Sequence, residues 1–407
     1  MSFKESTRKF NPALYILARL TIIPYLKFRY KIRSKNKTIF KELEPPFVLV
    51  PNHVSMFDPP MVNIFVPHRV HFVMSDANLR TKLSRWIYCK MCNVIPKTKA
   101  ISDSTAVRKI VALVRKKRVI CIFAEGRSSW DGVTHDIFYS TAKLLRILKV
   151  PVVVPLIRGG YLTHPRWATT IRPGRLIIEY KKIFNGPELA KMTLQDIHER
   201  LIKELWHDDY EFQRTTGQKY KSKKGAEYLE RLLFVCPECH QRTTLRSEKN
   251  RFFCTFCNFE ARYTSEGLLH PHLSDKHPIR TITAWARWQN AFIERTIQDM
   301  IKSNSSEAIF ADRNVALMTG HGLAPLEHLA KGAMALYLDR FTFKAENGQE
   351  FVFPLENIKG VQVLLANKFE FYFKDNLYNF EFENPRTSGY KYLVAIQKIA
   401  PEKAELE

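Results

Sequence analysis

Residues 47–60 read FVLVPNHVSMFDPP. The four apolar residues 47–50 have the composition of a buried strand, and the proline and asparagine after them end it. A helix is expected from Pro59, because proline is well tolerated at the first helical position. His53 and Asp58 therefore fall in a loop at the C-terminal end of a strand, where α/β proteins place their sites. A histidine there can take a proton near neutral pH, and a neighbouring carboxylate can fix its tautomer and favour its charged form. Taken alone, Asp58 would also suit a helix cap and His53 a solvent-facing ring.

Outward from this stretch, residues 70–74, 119–123 and 150–156 read as further short strands. Residues 104–118 read as a helix with Val107, Ile110, Val111 and Val114 on one face. Such alternation, from Thr38 to about Tyr210, predicts an α/β layer architecture. The strand 119–123 runs into AEGRSSWDG, residues 124–132. A glycine between a carboxylate and an arginine, followed by two hydroxyls, suits a phosphate. Backbone N–H groups can approach closely at Gly126, and a guanidinium grips phosphate with two parallel bonds. Residues 150–156, bracketed by prolines, read as core.

In this order the three segments resemble the glycerolipid acyltransferases, a family whose best-known members acylate lysophosphatidic acid, 1-acyl-sn-glycerol-3-phosphate. The family hallmark is a histidine and an aspartate with four residues between them, matched by His53 and Asp58 after Asn52. Its phosphate-site motif, Phe-Pro-Glu-Gly-Thr-Arg-Ser, is similar to Phe123, Ala124, Glu125, Gly126, Arg127, Ser128 and Ser129. Alanine replaces the proline, and the arginine stands one position early. A basic strand–loop block is matched by residues 95–99, where Lys99 has better spacing than Lys97; a lysine lacks the planar guanidinium fork. The later proline-bracketed block is matched by residues 150–155.

The resemblance covers residues 40–210 and implies an α/β acyltransferase domain. It implies an enzyme of phospholipid biosynthesis that moves a fatty acyl group from an acyl thioester, acyl-CoA or acyl carrier protein, to the free hydroxyl of a lysophospholipid. It further implies that His53 takes the hydroxyl proton while Asp58 holds the imidazole. Glu125, Gly126, Arg127 and Ser128, with Lys99 or Lys97, would seat the acceptor's phosphate.

The chain has 407 residues, enough for two to three domains. Apolar residues make up 45% and charged residues 26%, which excludes a wholly disordered or polytopic membrane protein. Lysine and arginine total 64 against 40 acidic residues, a net charge of +24, so an anionic partner is expected. Residues 1–37 hold ten basic residues and one acid around an apolar run at 10–26, which Arg19 interrupts and Pro24 is expected to break. A spanning helix needs about 20 apolar residues. The segment reads instead as a peripheral dock on the anionic cytoplasmic surface of a membrane.

Seven cysteines, four of them in two tight pairs, point to a reducing compartment rather than a disulfide framework. Cys236, Cys239, Cys254 and Cys257 form two CxxC pairs, the pattern of a structural zinc ribbon over residues 230–263. Metal would supply much of the folding energy of so small a unit. Cys89 and Cys92 form a third pair and read as buried helix cysteines; Cys121 stands alone on a strand.

Between the acyltransferase domain, 38–212, and the ribbon, residues 213–229 read as a linker. Residues 264–306 read as a helical connector. Over 307–407, alternating aromatic strands are separated by turns at Asn347–Gly348 and Asp375–Asn376 and closed by a helix at 390–399. That arrangement is similar to a pleckstrin-homology or GRAM module. The rival reading is a zinc-ribbon nucleic-acid-binding protein with a non-catalytic α/β domain. The clustered N-terminal charge among apolar residues and the intact histidine–aspartate pair weigh against it, so nucleic acid is not the expected partner.

Overall fold

The computed structural model describes residues 11–88, 94–97, 104–271, 279–322 and 324–400. The chain divides into two compact units, Met1–Arg166 with Ile171–Lys221, and Trp167–Thr170 with Ser222–Leu406.

The first unit runs α1 (Pro12–Arg29), β1 (Arg33–Lys35), β2 (Val48–Leu49), α2 (Asp58–Val62), β3 (Val70–Ser75), α3 (Lys82–Trp86), β4 (Ile95–Lys97) and α4 (Ser104–Arg115). It continues through β5 (Val119–Cys121), α5 (Tyr139–Leu148), β6 (Pro151–Arg158), α6 (Gly160–Thr163), β7 (Ile177–Asn185), α7 (Leu194–Leu205) and α8 (Asp209–Thr216). The strands form one sheet in the order β1-β7-β6-β2-β5-β3-β4. β2 lies parallel to β5 on one side and β6 on the other, while β6 and β7 are antiparallel.

The central strands are apolar on both faces because both faces are covered. Val48, Val50, Ile120, Val152 and Val154 join a cluster with Ile110 and Val114 of α4, Leu145 of α5 and Leu201 of α7. The alternate residue Phe47 is buried beside Phe40, at 5.8 Å between ring centres, and Phe40 meets Tyr180 edge-on at 4.9 Å. Since β2, β5 and β6 are mutually parallel, the loops that follow them leave from one edge of the sheet.

Asn11 caps α1 by accepting the N–H groups of Ala13 and Leu14. The helix runs on through Pro24 instead of breaking there: proline removes the bond to the Leu20 carbonyl but leaves the following turn intact. Arg19 fastens it to the unit, donating to the Val66 carbonyl at 2.9 Å and to Asn63 Oδ1 at 3.3 Å. Ile16, Leu17, Leu20, Tyr25 and Phe28 remain exposed. Among the described residues, no helix is long and apolar enough to cross a membrane. Residues 213–229 are not the bare linker that their composition suggests. α8 extends to Thr216, and Tyr220, Ala226 and Leu229 are buried, because three apolar anchors are hidden among the lysines.

In the second unit, β8 (Leu245–Glu248), β9 (Arg251–Cys254), β10 (Glu260–Tyr263) and β11 (Leu269–Pro271) form an antiparallel sheet in the order β11-β10-β9-β8. Helix α9 (Ile282–Lys302) packs Trp285 against Phe252 and Phe259, both at 5.4 Å. Then come β12 (Phe310–Gly320), β13 (Glu327–Leu336), β14 (Arg340–Ala345), β15 (Glu350–Pro354), β16 (Ile358–Leu364), β17 (Lys368–Phe373), β18 (Asn376–Phe382) and α10 (Tyr390–Ile399).

These seven strands make a second antiparallel sheet, β15-β14-β13-β12-β18-β17-β16. Phe341 meets Phe369, Phe371, Phe380 and Tyr392 of α10 at ring distances from 4.9 to 5.9 Å. The β17–β18 turn is centred on Lys374 and Asp375, both at positive φ, with Phe373 paired to Asn376. It lies one residue before the expected position, because Asn376 already belongs to the strand. A buried Glu230 pairs with Arg386 and accepts the Ser247 hydroxyl, so the cysteine-bearing hairpins and the aromatic sheet share one polar clasp.

Candidate active site

After β2 the chain turns over Asn52, whose side chain is buried and bonds to β6 as a strand residue would. Its Nδ2 donates to the Ile157 carbonyl at 3.0 Å, and its Oδ1 accepts the Ile157 N–H at 2.7 Å. Asp58, fully buried at the start of α2, gathers the loop. Its Oδ2 accepts from His53 Nδ1 at 2.8 Å and from the N–H groups of Val54 at 2.6 Å and Ser55 at 2.9 Å; its Oδ1 accepts the Ser55 hydroxyl at 2.9 Å. With Nδ1 committed to a carboxylate, Nε2 is the ring nitrogen left for a substrate. The His53 side chain is 20% exposed and tilts over Phe123 at 4.4 Å.

The loop after β5 grips the same histidine by its backbone. Glu125 Oε1 accepts the His53 N–H at 2.6 Å, and the Ser129 N–H donates to the His53 carbonyl at 2.8 Å. Glu125 Oε2 accepts the His135 N–H at 2.8 Å, and the residue is 2% exposed. Both carboxylate oxygens are thus turned to backbone donors, which does not fit the expectation that Glu125 seats a phosphate. Gly126 is required by its conformation: φ is +66°, and a Cβ there would stand 2.3 Å from the Phe138 ring.

Arg127 and Ser128 are partly buried on the same loop. Arg166, which no sequence motif marks, donates to the Ser128 carbonyl at 3.1 Å and lies 4.4 Å over the Trp130 ring. Its relation to the loop exists only in the fold. Lys97 ends β4 opposite Ser75 of β3, and β3 pairs with β5. It thus shares the sheet edge but stands two strands from β5, about 10 Å at ordinary strand spacing. Lys99, Cys89 and Cys92 lie outside the described residues.

Burial pushes the Glu125 carboxyl up to about 8 and outweighs the pull of its two N–H donors; Asp58 adds to the rise and Arg127 opposes it. Burial, aided by Arg127 and Arg166, pushes His135 down to about 3. Burial, aided by Arg172, pushes His164 down to about 4. Neither imidazole is charged near neutral pH.

The four cysteines of the second unit form a separate cluster. Their Sγ atoms all lie within 4.8 Å of one another, with Cys236–Cys257 at 3.7 Å and Cys239–Cys254 at 3.8 Å. Ligands about 2.3 Å from a tetrahedral centre are about 3.8 Å apart. Disulfide sulfurs would be about 2.05 Å apart. The quartet fits a four-thiolate metal site.

The raised Glu125 value gives a signed pH dependence. Between its ordinary value of 4.5 and about 8, the folded chain holds a proton there that the unfolded chain has released. Stability from this group is therefore full below 4.5 and is lost as pH rises through about 8. Glu125→Gln cannot titrate, so the unfolding free energy of the wild type minus that of the variant should fall from pH 5 to 8. Urea titrations at several pH values test this; a flat difference rejects it.

Residues 31–157 match the family model described as Acyltransferase. Among solved structures, the chain is similar to the 1-acyl-sn-glycerophosphate (LPA) acyltransferase PlsC from Thermotoga maritima. The identity is 19% and the TM-score 0.36, over 47% of this chain and 82% of that one. It is also similar to the Vps36 N-terminal PH domain, at 17% identity and a TM-score of 0.20, over 24% of this chain and 83% of that one. Residues 31–157 of this chain form an Acyltransferase-family domain.

Proposed function

We propose that the protein transfers a fatty acyl group from an acyl thioester to the free hydroxyl of a lysophospholipid, with 1-acyl-sn-glycerol-3-phosphate as acceptor. The observation that carries this reading is the 2.8 Å contact between His53 Nδ1 and Asp58 Oδ2 at the sheet edge, which leaves Nε2 for the substrate. His53 Nε2 takes the proton of the acceptor hydroxyl as that oxygen attacks the thioester carbonyl. The buried Asp58 carboxylate stabilises the imidazolium, and the tetrahedral adduct collapses with expulsion of thiolate, which receives the proton from Nε2. No acyl-enzyme intermediate is needed.

Arg127 and Ser128, with Lys97 or Lys99, are the residues assigned to the acceptor phosphate. Glu125 and Gly126 are assigned to shaping the loop that presents them. The donor is acyl-CoA or acyl carrier protein, both anionic and suited to a chain of net charge +24.

Two further parts of the reading concern the surroundings. Cys236, Cys239, Cys254 and Cys257 would hold a structural zinc ion with four sulfur ligands and no open position. Helix α1 would lie in the interface of an anionic membrane on its cytoplasmic side. Its exposed apolar residues support this, Leu20 at 69% and Phe28 at 85%, as does the surrounding positive charge.

His53→Ala should lower kcat with lysophosphatidate and acyl-CoA by about 10²–10⁴, the usual cost of losing a general base. Unimpaired turnover in the purified variant would remove the mechanism. Metal analysis of protein purified without chelators should give one zinc per chain, and Cys236→Ser should lose it and expose the second unit to protease; metal-free wild type rejects the site. Replacing Leu20 and Phe28 together by glutamate should abolish binding to phosphatidylglycerol vesicles while leaving the melting curve intact. Undiminished vesicle binding would place the membrane contact elsewhere.

A further inference from the structure

A second histidine–aspartate pair lies beyond the matched family segment. His207 Nε2 is 2.6 Å from Asp209 Oδ1, with the side chains 4% and 0% exposed, so neither can meet a substrate. Asp209 instead collects backbone. Its Oδ1 accepts the Gly159 N–H at 2.7 Å, and its Oδ2 accepts those of Tyr161 at 2.7 Å and Leu162 at 3.3 Å. These groups open the turn that follows β6.

That turn presses on the loop bearing His53. A Cβ on Gly160 would fall 2.5 Å from Val54 Cγ2, and the Val54 N–H is one of the donors to Asp58. The same pair also fixes the far end of the loop after β5. The Asp209 N–H donates to the Gly132 carbonyl at 3.0 Å, the Thr134 N–H donates to the His207 carbonyl at 3.0 Å, and the His207 N–H donates to Thr134 Oγ1 at 2.9 Å. The Tyr161 hydroxyl donates to the Trp130 carbonyl at 3.0 Å. One buried carboxylate, oriented by one imidazole, thus holds the turn after β6, while the backbone of the same two residues holds the loop after β5.

The structure assigns His207 and Asp209 as positioning residues for acyl transfer: they hold the turn after β6 against Val54 and so set the placement of the His53 ring. The inference rests on the acyl-transfer reading. Asp209→Asn turns an amide donor toward backbone N–H groups and should loosen the turn. Gly160→Ala forces Val54 aside without touching a charge. A misplacement of about 1 Å costs about 10²-fold in rate.

The test measures kcat and KM on a water-soluble short-chain lysophosphatidate with acyl-CoA, and follows the His53 ring by nitrogen-15 NMR, assigned by its absence in His53→Ala. Asp209→Asn and Gly160→Ala should each lower kcat about 10–100-fold, shift KM less, and move the His53 signal. Val54→Ala added to Gly160→Ala should recover part of kcat. His207→Gln, whose amide can stand near the Nε2 position, should retain more kcat than His207→Leu. Wild-type kcat with an unmoved His53 signal in folded Gly160→Ala and Asp209→Asn overturns the inference. If Asp209→Asn does not fold, Gly160→Ala and its Val54→Ala double variant decide. An inactive wild type would sink the acyl-transfer reading instead, and the His53 signal would then decide this inference alone: moved in Gly160→Ala, it stands; unmoved, it falls.

Discussion

The Asp58 carboxylate sits in a fully buried position at the head of α2 and accepts hydrogen bonds from a ring nitrogen, two backbone N–H groups and a hydroxyl within five residues of itself. A buried carboxylate left without such donors would cost several kcal/mol. Satisfying it curls residues 53–55 around its oxygens, and that curl points the His53 ring to the sheet edge. The remaining contacts act on this curl from outside: Asn52 ties its start to β6, Glu125 and Ser129 hold the His53 backbone, and Gly160 supports Val54. Parallel pairing of β2 with β5 and β6 makes this convergence available, since three connections then emerge side by side.

Much of this was legible in the residues, and the reasons are local. Fully apolar runs flanked by turn formers marked the central strands, even where β2 and β5 proved only two or three residues long. Helical periodicity located α9, and it gave the bounds of α10, because each has a continuous apolar stripe. β7, β12 and β13 carry a weaker signal. β7 carries the exposed pair Lys181 and Lys182, and β12 and β13 are rich in alanine, glycine and charge, so their alternation is faint. Helix α1 was expected to break at Pro24, yet one missing N–H does not outweigh the turns on either side.

The site divides along the same line. Residue types in a short motif reveal candidate chemistry, and His53 with Asp58 stood out for that reason. The direction in which a side chain turns does not follow from its type. Glu125 was expected to face a ligand, but its oxygens are taken by the N–H groups of His53 and His135. Arg166, His207 and Asp209 have no motif around them at all. His207 and Asp209 meet each other across one residue, but the groups that Arg166 and Asp209 hold, at Ser128, Gly159 and Tyr161, lie far off in the chain, and only the fold brings them together.

The pairing order of the aromatic sheet bears on how its chain finds its shape. β12 to β15 follow one another as neighbours, as do β16 to β18, so most of its ladders join segments close in sequence. The exception is the seam between the first strand and the last, where Val315 meets Phe382. Closing that seam requires a long loop of chain to be restrained before any contact rewards it, whereas each hairpin closes a short one. Two independently forming ribbons, with the tight Lys374–Asp375 turn seeding one of them, would therefore precede a slower joining step. During the interval, the Phe341, Phe369 and Phe382 rings would lack the cover of α10. That half-assembled species is where aggregation would compete with folding.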